Sequence, residues 1–212
     1  MTGQKTPRAL LLPTLLGLLA AFGLSSCGNS SFFGRDTRHK MIVSVTDQKM
    51  LLVKDGEPVK TYKISTSKYG TGDKPGSNRT PLGHLRVAKK IGNTAPQGAV
   101  FKSRRPTGEI LKPNSPGRDP VVTRILWLNG LEERNRNAFR RTIYIHGTPE
   151  ENRLGHPASY GCIRMSSRDV VDLYNRIGYG ADVFIIRGPI QDGRRNGQST
   201  ASTSRNGGRY RS

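Results

Sequence analysis

Cysteine is nearly absent from this chain, whose 212 residues include only Cys27 and Cys162. The four histidines are scattered along the sequence. Neither residue type occurs at a spacing typical of metal ligands, so we expect no metal centre. The sequence also contains no glycine-rich nucleotide-binding loop, and we expect no cofactor.

Acidic side chains are the second shortage. The chain has 15 Asp and Glu residues against 35 Lys and Arg residues, and its formal net charge is +20. This charge favours an anionic partner, which composition leaves open among nucleic acid, phospholipid head groups and an acidic envelope polymer. The length suffices for one domain with a hydrophobic core but is short for two.

Long apolar runs are confined to residues 9–24. Lys5 and Arg8 precede this run and small residues follow it, an arrangement typical of a cleaved secretory signal peptide. A membrane-spanning helix is the alternative, but the run is short for a bilayer and Pro13 interrupts it. Export argues against nucleic acid as the partner, and the chain also lacks aromatic residues interleaved on a basic face.

Cys27 follows this apolar run. The sequence "LSSC", residues 24–27, resembles the bacterial lipoprotein processing motif, in which the cysteine is lipidated and becomes the new N-terminus. We therefore expect a signal peptide over residues 1–26 and acyl chains on Cys27. These chains would anchor the protein to a membrane on the periplasmic side of a bacterial cell envelope. The alternatives are a soluble periplasmic protein and a disulfide between Cys27 and Cys162.

Composition divides the rest of the chain into three segments. Residues 27–40 are small, polar and basic, and they predict a flexible tether. Residues 41–188 carry the strand and helix patterns of a single folded domain. Residues 189–212 contain few apolar side chains and predict a basic disordered tail, which either contacts anionic polymers loosely or has no role.

The domain is predicted to be mainly β, with roughly seven or eight strands and one main helix. Asp55 and Gly56 predict a tight hairpin turn, because such turns need positive φ. Ser166 and Asp169 predict the start of the helix, and Gly178 predicts its end. We predict strands over residues 41–46, 49–54, 58–66, 82–91, 121–130, 142–146 and 181–188.

Cys162 lies between Gly161, which permits a tight turn, and the predicted helix. A nucleophilic cysteine needs a base or an electropositive setting, because the thiolate is the reactive species. His146 is the best candidate base: it ends an apolar strand, and Gly147 after it allows a close backbone approach. A lone histidine at a strand end is more often structural. We expect the helix dipole to favour the thiolate, and backbone N–H groups of the turn to hold an oxyanion.

The sequence around these residues resembles the signature of the L,D-transpeptidase catalytic domain. That signature joins a strand-end His-Gly to Ser-x-Gly-Cys-(Ile/Val)-Arg-(Met/Leu) and a helix, matched here by "IHG" at residues 145–147 and "SYGCIRM" at residues 159–165. The stretch "RTPLGHLRV", residues 79–87, resembles the Thr-Pro-x-Gly strand of the same family. The resemblance covers residues 41–187 and implies a β-sandwich-like domain with its main helix after the cysteine.

The family cross-links peptidoglycan by acyl transfer, and the resemblance implies this chemistry here. Cys162 would attack the carbonyl of the third residue of a tetrapeptide stem, release D-alanine and pass the acyl group to an amine acceptor. His146 would hold a thiolate–imidazolium pair and then act as general acid and base. The oxyanion donors implied are the N–H groups of Gly161 and Cys162. Substrate-binding candidates are Gly147, Ser159, Tyr160 and Arg164.

Three of these candidates have alternative interpretations. Arg164 matches a substrate carboxylate bidentately, or else forms an ion pair within the fold. Ser159 lines the cleft or supports the turn. Tyr160 stands where the family frequently has His or Arg, and this leaves the role of base to His146.

Other functions of the same residues stay open. Water in place of the amine acceptor would make the protein a carboxypeptidase, because cleft shape and water exclusion choose the acceptor. A non-catalytic module would keep the fold and use its charge to hold peptidoglycan or lipid. The intact pair of His146 and Cys162 argues against that third function.

Overall fold

The computed structural model describes residues 34–191. The predicted signal peptide, the predicted lipidation site Cys27 and most of the predicted tail lie outside this range. Within it, no helix is long and apolar enough to cross a membrane.

The described residues form ten strands and one α-helix, so the prediction of a mainly β domain with one main helix is confirmed. The strands are β1 (His39–Ser44), β2 (Lys49–Lys54), β3 (Glu57–Ser65), β4 (Gly83–Ile91), β5 (Ala99–Lys102), β6 (Arg105–Ile110), β7 (Val121–Gly130), β8 (Tyr144–Gly147), β9 (Ile163–Met165) and β10 (Asp182–Ile186). The helix is α1 (Ser167–Arg176), and two 3-10 turns span Glu133–Asn135 and Glu151–Arg153.

The ten strands belong to one sheet, in the order β4-β10-β1-β2-β3-β9-β8-β7-β5-β6, and β4 also pairs with β7. This extra pairing closes the strands from β4 to β7 into a ring, with the β5–β6 hairpin outside it. The pairs β1–β10 and β8–β9 are parallel. One large hydrophobic cluster joins residues of the ring to Val170, Leu173 and Tyr174 of α1.

The β2–β3 hairpin turn forms where it was predicted. Asp55 and Gly56 have φ values of 52° and 93°. These positive values suit the two central residues of a tight hairpin turn, and a glycine adopts them without steric cost.

No bounds were predicted for two elements: β9 and the β5–β6 hairpin, which lies in residues 92–120, where only some short strand character was expected. All six residues of β6 are exposed, and Pro106 and Gly108 are unfavourable in strands, so β6 shows no alternation of apolar and polar residues. Strand β9 has only three residues and owes its conformation to pairing with β3 and β8. Strand β8 begins at Tyr144 rather than at Thr142, whose φ of 55° is not that of a strand.

The folded domain begins before residue 41, inside the predicted tether. The Asp36 carboxylate accepts a hydrogen bond from the Gly178 N–H at 2.6 Å, and the Asp36 N–H donates to the Tyr179 carbonyl at 2.7 Å. A Cβ on Gly178 would lie 2.9 Å from the Asp36 Cβ, so this approach requires glycine. The tether prediction is therefore wrong for the last residues of 27–40, because they bind the loop after α1.

Helix α1 begins at the predicted cap. The Ser166 hydroxyl oxygen accepts a hydrogen bond from the Asp169 N–H at 3.1 Å, and the hydroxyl donates to the Asp169 carboxylate at 2.9 Å. This bond satisfies one of the N–H groups that a helix leaves unpaired at its first turn.

Ser166→Ala is expected to lower the free energy of unfolding by about 1 kcal/mol, because it removes the cap of α1. Ser166→Asn is the matched control, since asparagine caps a helix as well as serine does. Urea denaturation of the three proteins measures the difference. Equal losses in both variants, or no loss in the alanine variant, would contradict a capping role.

Candidate active site

The candidate site lies where β8 and β9 pair in parallel. Ile145 is opposite Ile163, and His146 is opposite Arg164. Paired residues of neighbouring strands point to the same face of a sheet, so His146 and Arg164 share a face, and Cys162 lies in the turn directly before β9. The Tyr144 N–H points at the Cys162 Sγ, with the nitrogen 3.4 Å from the sulfur. His146 thus lies in β8, and Cys162 directly precedes the strand that pairs with β8.

Ser159 holds the turn that carries Cys162. The Ser159 hydroxyl donates to the Cys162 carbonyl at 2.6 Å and accepts from the Gly161 N–H at 3.2 Å. Gly161 has a φ of 122°, a conformation that favours glycine, and its carbonyl accepts from the Thr80 hydroxyl at 3.1 Å. The structure thus favours support of the turn as the role of Ser159.

The hydrogen bond to Ser159 also bears on the oxyanion prediction. The Gly161 N–H is used inside the turn, so it is not free to donate to a substrate oxygen in this conformation. The prediction that the Gly161 N–H is an oxyanion donor is therefore not supported. This N–H donates to Ser159, which the sequence suggested only as a residue that lines the cleft or supports the turn.

His146 is oriented by the carbonyl of the next residue. Its Nδ1 lies 2.8 Å from the Gly147 oxygen. Because a carbonyl only accepts, Nδ1 carries the hydrogen in this bond and Nε2 is left as the acceptor. A Cβ on Gly147 would lie 2.7 Å from the Val122 carbonyl oxygen, so glycine permits the close approach that was predicted. Gly147 is itself buried against β7, which argues against contact with substrate.

Burial sets the ionisation of both groups. It raises the pKa of the Cys162 thiol to about 11, although the Tyr144 N–H lowers it in part. Burial also lowers the pKa of His146, against the opposing effect of its bond to Gly147. Both shifts favour the neutral forms, a thiol and an imidazole without charge. The expectation of a helix-stabilised thiolate is wrong, because β9 separates Cys162 from the start of α1.

The rate of Cys162 alkylation by iodoacetamide is expected to keep rising with pH above the values at which an ordinary cysteine reaches its plateau. The pKa of an ordinary cysteine is about 8.5. The raised pKa means that little thiolate exists at neutral pH. Mass spectrometry of the intact protein follows the reaction, with a short cysteine peptide as control and circular dichroism to check folding. A rate that reaches its plateau near neutral pH would contradict the neutral resting state.

Cys162 opens onto a cleft of about 300 Å³. Tyr160, a predicted substrate-binding residue, lies at this cleft with 58% of its surface exposed. The other residues that line it come from two distant segments: Gly76, Asn78, Arg141, Thr142 and Ile143.

The family model of the L,D-transpeptidase catalytic domain, YkuD, matches residues 38–185. The chain belongs to this family. The match begins before residue 41, in agreement with the folded boundary, and ends inside β10.

Solved structures of L,D-transpeptidases resemble the chain in part. One from Mycobacterium smegmatis has 17% identity and a TM-score of 0.46, over 70% of this chain and 58% of that one. One from Xylanimonas cellulosilytica has 18% identity and a TM-score of 0.45, over 72% and 62%. An Enterococcus faecium mutant has 16% identity and a TM-score of 0.45, over 70% and 50%. The chain spans less than two thirds of their lengths. No curated protein matches it in sequence.

In this L,D-transpeptidase domain, Arg164 lies below the protein surface, with 1% of it exposed. Its guanidinium pairs with Asp119, and with Glu150 at 3.0 Å. The Thr148 hydroxyl donates to the same Asp119 carboxylate. This arrangement favours the ion pair within the fold over a role in holding a substrate carboxylate.

Asp119 is a residue of the candidate site that sequence reasoning missed. Its negative charge opposes the effect of Arg164 on His146: Asp119 raises the pKa of the imidazole and Arg164 lowers it, although burial remains the main influence. Asp119 lies in the segment between β6 and β7, where no motif marks it.

Proposed function

We propose that this protein is a peptidoglycan L,D-transpeptidase, a cysteine acyltransferase of cell wall biogenesis. The observation that carries the proposal is the parallel pairing of β8, which contains His146, with β9, which directly follows Cys162, in a domain of this family. Cys162 is the nucleophile and His146 the general acid and base.

The first half of the reaction acylates the enzyme. The Cys162 proton passes to His146 Nε2 as Sγ attacks the carbonyl carbon of the third residue of a tetrapeptide stem. The S–C bond forms, the C–N bond to D-alanine breaks, and the proton on His146 passes to the departing amine. Because both pKa shifts favour neutral groups, we expect this proton transfer to accompany the attack.

The second half regenerates the thiol. An amine acceptor attacks the thioester and gives its proton to His146, and the acyl group leaves sulfur for nitrogen. The same proton then returns to the sulfur of Cys162. The Tyr144 N–H, directed at Sγ, stabilises negative charge on sulfur in both halves. The Cys162 N–H is the remaining oxyanion donor expected from the sequence.

The full-length protein in detergent, incubated with tetrapeptide muropeptides, tests this proposal. Mass spectrometry distinguishes the outcomes. Cross-linked dimers with loss of D-alanine support transfer, and loss of D-alanine alone supports a carboxypeptidase. No turnover, with wild type and Cys162→Ala indistinguishable, contradicts both enzymes and leaves the non-catalytic envelope-binding module.

We also propose that the protein is a lipoprotein, anchored through Cys27 on the periplasmic side of the cell envelope. The support is the basic, apolar and small-residue order of residues 1–26 and the "LSSC" sequence. Cells grown with a clickable palmitate analogue should label the wild-type protein and the Cys162→Ser control. The Cys27→Ser variant should not be labelled, and labelling of all three would contradict lipidation at Cys27.

A further inference from the structure

Tyr160 lines the cleft of Cys162 and contacts two further side chains. We name the three residues the Lys68 cluster: Lys68, Tyr69 and Tyr160. The Lys68 Nζ lies 5.3 Å from the centre of the Tyr69 ring and 4.5 Å from that of Tyr160. It also donates a hydrogen bond to the Tyr160 hydroxyl at 3.1 Å. The two rings are 5.7 Å apart and inclined by 53°. The ammonium group is therefore held against both rings.

The cluster is joined to the turn of the nucleophile. Ser67 and Ser159 form a parallel β-bridge, and the Lys68 N–H donates to the Ser159 carbonyl at 3.1 Å. Ser159 in turn bonds the Cys162 carbonyl. The backbone of Lys68 thus has a fixed position relative to the reacting sulfur.

Lys68 carries a charge that the described part of the chain does not neutralise. It forms no ion pair among residues 34–191, whereas Arg141, which lines the cleft, pairs with Asp73 and donates to the Gly72 and Arg79 carbonyls. No acidic side chain lines the cleft. The Lys68 ammonium has three N–H donors, and one of them bonds the Tyr160 hydroxyl.

The two tyrosines are also unusually open. Tyr69 is 47% exposed and Tyr160 is 58% exposed, and both are among the few large apolar side chains of residues 34–191 that face solvent. Neighbouring exposed aromatic rings beside a reactive cysteine indicate a binding surface rather than a packing role. The Lys68 ammonium can bind a carboxylate, and the two exposed rings can cover apolar atoms. The cluster therefore suits a ligand that has a carboxylate next to an aliphatic carbon.

We infer that the Lys68 cluster binds a carboxylate of the peptide substrate, with Tyr69 and Tyr160 covering the aliphatic atoms beside it. This inference rests on the proposed function and names a determinant of its substrate choice: stem peptides with a free carboxylate at this position are preferred over amidated ones. The hydrogen bond to Tyr160 raises the pKa of Lys68, so the group remains an ammonium over the working pH range.

Lys68→Gln, tested with tetrapeptide donors amidated at one carboxylate at a time, measures this preference. For the unmodified donor the variant is expected to raise KM about 10-fold with little change in kcat, the loss of one charge-assisted hydrogen bond. One of the amidated donors should show the same rise in KM with the wild-type enzyme. For that donor, Lys68→Gln should have no further effect.

Two variants serve as controls. Lys54→Gln removes the same charge from the β2–β3 hairpin and should leave KM unchanged for every donor. Tyr160→Phe keeps the ring, removes the hydrogen-bond partner of Lys68, and should raise KM less than Lys68→Gln does. Equal KM values for wild type and Lys68→Gln, or an equal increase for all donors, would overturn the inference.

A binding measurement separates this inference from the proposed reaction. Calorimetry with the Cys162→Ala background needs no turnover. Addition of Lys68→Gln should weaken binding of the unmodified peptide about 10-fold and leave binding of the sensitive amidated peptide unchanged. Equal binding by Cys162→Ala and by the double variant Cys162→Ala/Lys68→Gln overturns the carboxylate site, even if the wild-type protein shows transpeptidation. Weaker binding by the double variant, together with no transpeptidation by the wild-type protein, supports the site and contradicts the proposed reaction.

Discussion

Cys162→Ala is expected to abolish release of D-alanine, with a loss of kcat of about 10⁴-fold or more. Cys162 is the only cysteine among residues 34–191, so no other thiol of the described domain can form the thioester. Substitution by alanine removes a half-buried sulfur and leaves the Ser159 bond to the backbone carbonyl of residue 162 in place. The turn should therefore persist, and the effect should fall on chemistry.

Release of D-alanine from muropeptides, measured by a coupled amino-acid assay, checks this prediction. Cys27→Ser is the control: it removes the other cysteine and should leave kcat of the detergent-solubilised protein unchanged. A Cys162→Ala protein that still released D-alanine within tenfold of the wild-type rate would exclude Cys162 as the nucleophile.

His146→Gln is expected to lower kcat by about 10²- to 10⁴-fold, the usual contribution of a positioned general base. The neutral imidazole, with Nδ1 bonded to the Gly147 carbonyl, offers Nε2 to the Cys162 proton. Glutamine keeps much of the size of histidine but is a far weaker base. The thiol must then ionise by itself, and its pKa is about 11.

The pH dependence distinguishes this role from a structural one. Wild-type kcat should level off once the imidazole is neutral, whereas the rate of His146→Gln should keep rising with alkaline pH as the thiolate forms. Equal thermal melting of the two proteins is the control for folding. A variant with a lower rate but the wild-type pH profile would contradict a general-base role for His146.

Local sequence patterns predicted the parts of the fold that depend on neighbouring residues. The Asp55-Gly56 turn, the Ser166 cap and strand β7 follow from local conformational preference and hydrophobic pattern. The β5–β6 hairpin does not follow from such patterns, because β6 is exposed along its whole length and shows no alternation of apolar and polar residues. Strand β9 depends on its two neighbours in the sheet rather than on its own three residues.

The same distinction between local patterns and contacts distant in sequence holds in the candidate site. His146 and Cys162 lie in a recognisable sequence pattern, and the structure places His146 in β8 and Cys162 directly before β9. Asp119 and Lys68 come from loops distant in sequence, and only the closed sheet brings them to Arg164 and to Tyr160. The sequence also could not predict that the Gly161 N–H would bond Ser159, because hydrogen-bond direction depends on the folded turn.

Strand order has a consequence for how the domain folds. The last strand, β10, lies between β4 and β1, pairing antiparallel with one and parallel with the other. The ring is therefore incomplete until residue 186 has emerged, and pairings so distant in sequence form slowly. The closed sheet thus depends on pairing between the first and the last strand of the described domain.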